Sequence, residues 1–101
     1  MRLSPKYVEE FKNYFNQLID TKHEVFLFGS RTDDAKKGGD IDLLVVVDEE
    51  ILVEKLKSSA AKIRIKLREL SGDQRVDVVF TTSSNLKIDP FLKSIRNKIR
   101  L

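Results

Sequence analysis

Gly39-Asp40-Ile41-Asp42-Leu43-Leu44-Val45-Val46-Val47 sets two aspartates, one residue apart, directly against five consecutive branched aliphatic residues. Branched residues in an unbroken apolar run favour a buried strand, and here the run predicts one over Asp40–Val47. Side chains alternate along a strand with a period of two, so Asp40 and Asp42 share a face and can converge on one cation. A hard divalent ion such as Mg²⁺ takes oxygen ligands, and it commonly uses one or two protein carboxylates while water and substrate phosphates fill its other positions. An Asp-x-Asp pair in isolation more often merely closes a loop at a strand edge, so the neighbouring segments have to decide between the two readings.

Upstream, Val25-Phe26-Leu27-Phe28 forms a second short apolar run, stopped by Gly29-Ser30. A glycine at a strand end lets backbone approach a phosphate closely, and the amides that follow, with the Ser30 hydroxyl, can donate to its oxygens. Taken alone, a strand ending in Gly-Ser is usually only a turn. Nine residues separate Ser30 from Asp40, a polar loop closing in Gly38-Gly39 that is long enough to leave one strand and enter its neighbour. Downstream, Arg75–Thr81 alternates Val76, Val78 and Phe80 against Arg75, Asp77 and Val79, the pattern of a third strand. Asp77 in that apolar setting needs compensation, since an unpaired buried carboxylate is expensive. A salt bridge to Arg75 on the same face would supply it, and so would a metal shared with Asp40 and Asp42.

Helical periodicity fills the intervals. Ser4-Pro5 opens a helix to about Asp20, with Val8, Phe11, Phe15, Leu18 and Ile19 on its apolar side. The acidic run Asp48-Glu49-Glu50 suits the positive end of a helix reaching Leu70, with Leu52, Leu56, Ala60, Ile63, Leu67 and Leu70 at spacings of three and four and Ser71-Gly72 as its stop. After a polar loop, Pro90 is expected to open a last helix with Phe91, Leu92, Ile95 and Ile99 on one side. The order helix, strand, strand, helix, strand, helix predicts a small α/β (α+β) sheet with helices mainly on one face.

The 101 residues, 41% hydrophobic and 35% charged, are expected to form a single domain spanning 1–101 with one core. Without cysteine there is no disulfide framework or thiolate zinc site, and His23 is the only histidine. No apolar run approaches membrane-spanning length and the N-terminus has no apolar signal region, so a cytoplasmic location is expected. The net charge of +3 balances 19 basic against 16 acidic residues. That excess is mild and makes nucleic acid an unlikely partner on charge alone.

Together, Phe28-Gly29-Ser30-Arg31 and Gly39-Asp40-Ile41-Asp42-Leu43-Leu44-Val45, with Asp77 in a later strand, resemble the MNT group, the minimal nucleotidyltransferases of the DNA polymerase beta superfamily. The resemblance runs from about Val25 to Phe80. It implies a polymerase-beta-like palm with a small mixed sheet, in which Gly29, Ser30 and Arg31 bind the nucleotide and Asp40, Asp42 and Asp77 are catalytic and bind metal. It further implies two Mg²⁺ ions, a nucleoside triphosphate donor such as ATP, and in-line displacement at the α-phosphorus, with Asp77 able to accept the proton of the attacking hydroxyl. This chain departs from the pattern with Thr32-Asp33-Asp34 after Gly29-Ser30-Arg31 and with Gly39 before the first aspartate. Asp33 and Asp34 bring negative charge near the proposed phosphate site, which Lys36 and Lys37 can offset.

So small a transferase is expected to find its acceptor on another chain. The resemblance points to a helical HEPN-type protein encoded nearby, as in toxin and antitoxin pairs where AMP is added to a tyrosine of the toxin. Two other classes compete. A non-catalytic antitoxin or binding module would cover its partner with the apolar side of the segment from Phe91 to Leu101. A nucleic-acid contact would use Lys87, Lys93, Arg96, Lys98 and Arg100, although no aromatic residue interleaves those charges.

Overall fold

The computed structural model describes residues 3–29, 39–95 and 97–101. Its centre is β2 (Ile41–Val47), in which every residue except Asp42 is buried. On one side β2 pairs antiparallel with β1 (His23–Phe28), and on the other it runs parallel to β3 (Val76–Thr82). A three-residue strand, β4 (Lys98–Arg100), adds antiparallel to the far side of β1, giving a mixed sheet in the order β3-β2-β1-β4.

The period of two divides this sheet into faces of different use. Val25 and Leu27 of β1, Ile41, Leu43, Val45 and Val47 of β2, and Val76, Val78 and Phe80 of β3 join the main core. Three helices close over them: α1 (Pro5–Leu18), α2 (Glu50–Ser58) and α3 (Ala60–Leu70). Phe11 and Phe15 of α1 are fully buried there, and removing each side chain from water contributes roughly 1.5–3 kcal/mol. The opposite face carries a smaller cluster of Leu44, Val46 and Leu92, with Phe26, Phe28, Val79, Leu86 and Ile95 against it. Two short helices supply its cover, α4 (Ser83–Ile88) and α5 (Pro90–Lys93). The three long helices therefore share one face as expected, while the other face is only partly roofed.

Three expectations need correction. The helix expected from Asp48 to Leu70 is broken in two at Ser59 (φ −106°, ψ 12°). The Ser58 hydroxyl donates to the Lys55 carbonyl at 2.7 Å, so a side chain here competes for the helical backbone, and Ser59 turns the axis before its own carbonyl accepts from Ile63. The interval expected as a polar loop after β3 contains α4, whose start is capped by the Thr82 hydroxyl accepting from the Asn85 amide. Finally, the helix opened by Pro90 ends at Lys93. Asp89 caps its first turn, the Ser94 hydroxyl donates to the Phe91 carbonyl, and the chain then extends into β4. Ile95 and Ile99 thus lie on different elements: Ile95 packs beside Leu92, while Ile99 sits opposite Leu27 on the helical side of the sheet.

The stop after α3 is as expected and is built from backbone geometry. Gly72 (φ +67°) and Asp73 (φ +66°) are both left-handed, and the Asp73 amide donates to the Arg68 carbonyl at 2.9 Å, the outer bond of a Schellman cap. A side chain on Gly72 would bring its Cβ to 2.8 Å from the Tyr7 hydroxyl, which ties this turn to α1. Gly72→Ala is expected to lower unfolding free energy by about 1–2 kcal/mol from backbone strain alone, and by more if Tyr7 cannot move, read as a lower urea midpoint at unchanged slope.

Candidate active site

Asp42 is the second residue of β2, on the face away from α1, α2 and α3, and its register partners are Phe28 in β1 and Asp77 in β3. In-register residues of neighbouring strands share a face, so two carboxylates stand side by side one strand spacing apart, about 4.8 Å between backbones. Asp40, two residues earlier, belongs to the same side just ahead of the strand. Residues widely separated in sequence thus meet at one end of the incompletely covered face.

Gly29 closes this corner. It follows β1 directly, with φ +80°, and a Cβ placed on it would lie 2.5 Å from Asp42 Oδ2. Only a residue without a side chain leaves room for that carboxylate. The glycine singled out in the sequence for phosphate approach therefore has a second reason to be glycine, one that fixes the strand-end bend and the metal-ligating candidates in one place. Ser30 and Arg31, the other nucleotide-binding candidates, lie outside the described residues, as do Asp33, Asp34, Lys36 and Lys37.

Among the described residues the acidic cluster is only weakly compensated. Burial pushes the Asp42 carboxyl above the ordinary carboxylate range, and the negative charges of Asp77 and Asp40 push it further in the same direction. Arg75 does not neutralise Asp77, the pairing that its position in the sequence suggested. Its Nε lies 3.6 Å from Asp40 Oδ2, a surface pair in which Arg75 is 72% exposed and which contributes little. The Asp77 side chain makes no hydrogen bond or ion pair among the described residues.

No three acidic, histidine or cysteine side chains converge tightly enough to hold an ion among the described residues. Asp40 leans toward Arg75 while Asp42 sits against Gly29. The donor set nonetheless fits a hard cation, because Mg²⁺ needs only one or two carboxylates from protein and Asp42 and Asp77 already stand together. His23 sits at the opposite end of β1, across from Val47, with its ring on the Thr21 carbonyl, and takes no part.

Two residues named in the sequence for other reasons, Phe28 within the Gly-Ser motif and Lys98 as a nucleic-acid contact, turn out to neighbour the site. Phe28 lies next to Asp42 across the ladder, and Lys98 of β4 lies next to Phe28, so one row across the sheet reads Lys98, Phe28, Asp42, Asp77. The Lys98 ammonium stands over the Phe26 ring, 5.7 Å from its centroid. The only signal was the polar-apolar-polar alternation of Lys98-Ile99-Arg100, three residues long and overlapped by the helical spacing of Ile95 and Ile99.

A family model described as nucleotidyltransferase domain matches residues 8–101. The fold resembles the crystal structure of a Sulfolobus solfataricus protein assigned as a nucleotidyltransferase, at TM-score 0.56 and 19% identity, over 94% of this chain and 76% of that one. No curated protein matches the chain by sequence. No helix among the described residues is long and apolar enough to cross a membrane.

A carboxyl whose folded pKa is raised binds its proton more tightly folded than unfolded, so it takes stability away as pH rises from its unfolded value through its folded one. In metal-free buffer, Asp42→Asn is therefore expected to raise the melting temperature at neutral pH by a few degrees. The gain should vanish in acid below the ordinary carboxylate pKa, and thermal melts of both proteins across pH would show whether it does.

Proposed function

The chain belongs to the nucleotidyltransferase domain family, and from that premise we propose that it moves a nucleoside monophosphate, AMP from ATP, to a hydroxyl of a partner protein. The observation that carries this reading is the pair Asp42 and Asp77 side by side in register, with Asp42 packed against the backbone of Gly29. A purely structural sheet gains nothing from placing two like charges there.

In this proposal Asp40, Asp42 and Asp77 hold Mg²⁺, two ions in the full assembly. When bound, Mg²⁺ neutralises charge on the triphosphate and on the oxygens that gain charge during transfer. Gly29 offers its exposed backbone at the strand end, and Ser30 and Arg31, next in sequence, donate to the phosphates. Asp77 orients the acceptor hydroxyl and accepts its proton as the acceptor oxygen forms its bond to the α-phosphorus. The bond from the α-phosphorus to the bridging oxygen breaks in line, and pyrophosphate leaves with that electron pair. Lys98, in the same row beyond Phe28, is placed to balance phosphate charge.

We propose that the acceptor is a small helical HEPN-type protein encoded nearby and that the pair is a toxin and its antitoxin, in the cytoplasm, with residues 1–101 acting as a single minimal domain. The in-register placement of Asp42 beside Asp77 supports transfer over the alternative of a non-catalytic antitoxin. A module that worked by coverage alone would be more stable without the clustered charge.

Incubation with labelled ATP, Mg²⁺ and the product of the adjacent reading frame should label the partner, and chelation of the metal should abolish labelling. Asp42→Asn should reduce it by at least about a hundredfold, the upper range for disturbing partners of a metal site. Gly29→Ala should have a comparable effect by displacing the Asp42 carboxylate, with α-helical circular dichroism retained. A stable complex formed equally well by the Asp42→Asn protein, with no label transferred by either, would establish the non-catalytic reading instead.

A further inference from the structure

β3 is a terminal strand of the sheet, and its outer edge is open among the described residues. The Ile41 amide donates to the Arg75 carbonyl at 3.0 Å, which fixes the phase of the parallel ladder. Arg75, Asp77, Val79 and Thr81 turn their backbone groups toward β2. Val76, Val78 and Phe80 turn theirs outward, where no backbone partner meets them among the described residues. Exposed edges are ordinarily blunted by brevity, lysine, proline or a bulge. β4, the other terminal strand, has three residues and carries Lys98 and Arg100. β3 has seven, rich in β-branched residues, with neither lysine nor proline.

Two clefts flank this edge, of about 370 and 430 Å³, and Arg64 lines both. The wall facing the edge is α3, which contributes Ala61, Arg64, Ile65 and Arg68, with Lys57 from α2 at one end. Ile65 is 61% exposed, and Phe91 on the other side of the edge is 59% exposed. Arg64 and Lys57 have no ion-pair partner among the described residues, whereas Arg68 is paired with Asp73 at 2.7 Å and the nearby acids Glu50 and Asp89 are engaged, one with Asn85 and the other in capping α5. The free donors and acceptors, the exposed apolar side chains and the unspent positive charge therefore coincide along one line.

We infer that the outer edge of β3 binds an extended acidic segment of a partner protein as an added strand. The backbone of Val76, Val78 and Phe80 supplies the ladder, and Arg64 and Lys57 receive carboxylates of the segment. A second copy of this chain fits poorly. Antiparallel pairing of β3 with its own copy about a two-fold axis keeps both copies of α3 on one face and brings their arginines together. An acidic partner answers those charges. The position also has a consequence for chemistry, which rests on the transfer reading above. A residue of the added strand opposite Asp77, on the same face, lies about 5 Å from it between Cβ atoms, so strand addition would deliver an acceptor hydroxyl to the carboxylate proposed to take its proton.

The test uses the full chain without nucleotide and a fluorescent peptide alternating valine and glutamate around one central tyrosine. Saturable binding is expected, with slowed hydrogen exchange at Val76, Val78 and Phe80. Affinity should fall about tenfold or more for the exposed double variant Lys57→Glu, Arg64→Glu, and for a peptide whose ladder-facing amides are N-methylated. Binding unchanged by charge reversal, protection at β4 instead, or concentration-dependent self-association that protects the same β3 amides without peptide would overturn the proposal. Mg²⁺-dependent ATP binding measured on the same samples separates the two readings. ATP bound without peptide refutes the docking edge alone, and peptide bound without ATP refutes the transfer reading alone.

Discussion

The organisation of this protein depends on holding two like charges side by side. Asp42 and Asp77 repel, and burial of Asp42 makes the repulsion harder to screen. Their position is imposed by the parallel ladder between β2 and β3, whose remaining residues are almost entirely apolar and packed on both faces. The hydrophobic energy of those strands is large relative to a single unfavourable pair, and it keeps the carboxylates together. Gly29 completes the constraint by leaving space where any other residue would expel Asp42.

The sheet divides its labour by parity of residue number. One set of alternating side chains builds the core beneath α1, α2 and α3, and the other set carries the charges, the Phe26–Phe28 surface and the cover from α4 and α5. The fully roofed face supplies stability, and the partly roofed one can tolerate electrostatic strain. Protein sites commonly take this form, with perturbed groups placed where rigid elements end and solvent begins.

Much of this was legible in the residues themselves. The buried β2, the alternation of β3, the α1 periodicity and the Ser71-Gly72 stop each carry strong local signals, and the aspartates were identifiable because charged residues are rare inside apolar strands. The pairing of Asp42 with Asp77 needed the sheet register, which depends on contacts distant in sequence. Of the two ways of compensating Asp77 left open by the sequence, the Arg75 salt bridge is not the one formed, and the Arg75–Asp40 pair was not foreseen because same-strand proximity is visible in a sequence and cross-strand proximity is not. The break at Ser59 was hidden by an apolar period that continues across it, and serine side chains competing for backbone bonds leave the period unchanged. β4 was masked in the same way: Ile95 and Ile99 satisfy a helical spacing, whereas what makes Lys98–Arg100 extended is the unfilled outer side of β1. Propensity lost there to a tertiary partner.

The parallel register between β2 and β3 also guards its own accuracy. Sliding β3 by a single position would rotate Asp77 beneath the helices, into contact with leucine, isoleucine and phenylalanine, and would turn Val78 out to water. An ionised group in that interior is prohibitively unfavourable, so the misaligned chain would find no stable resting place. The two carboxylates thereby act as proofreaders of assembly, penalising every slip by an odd number of residues.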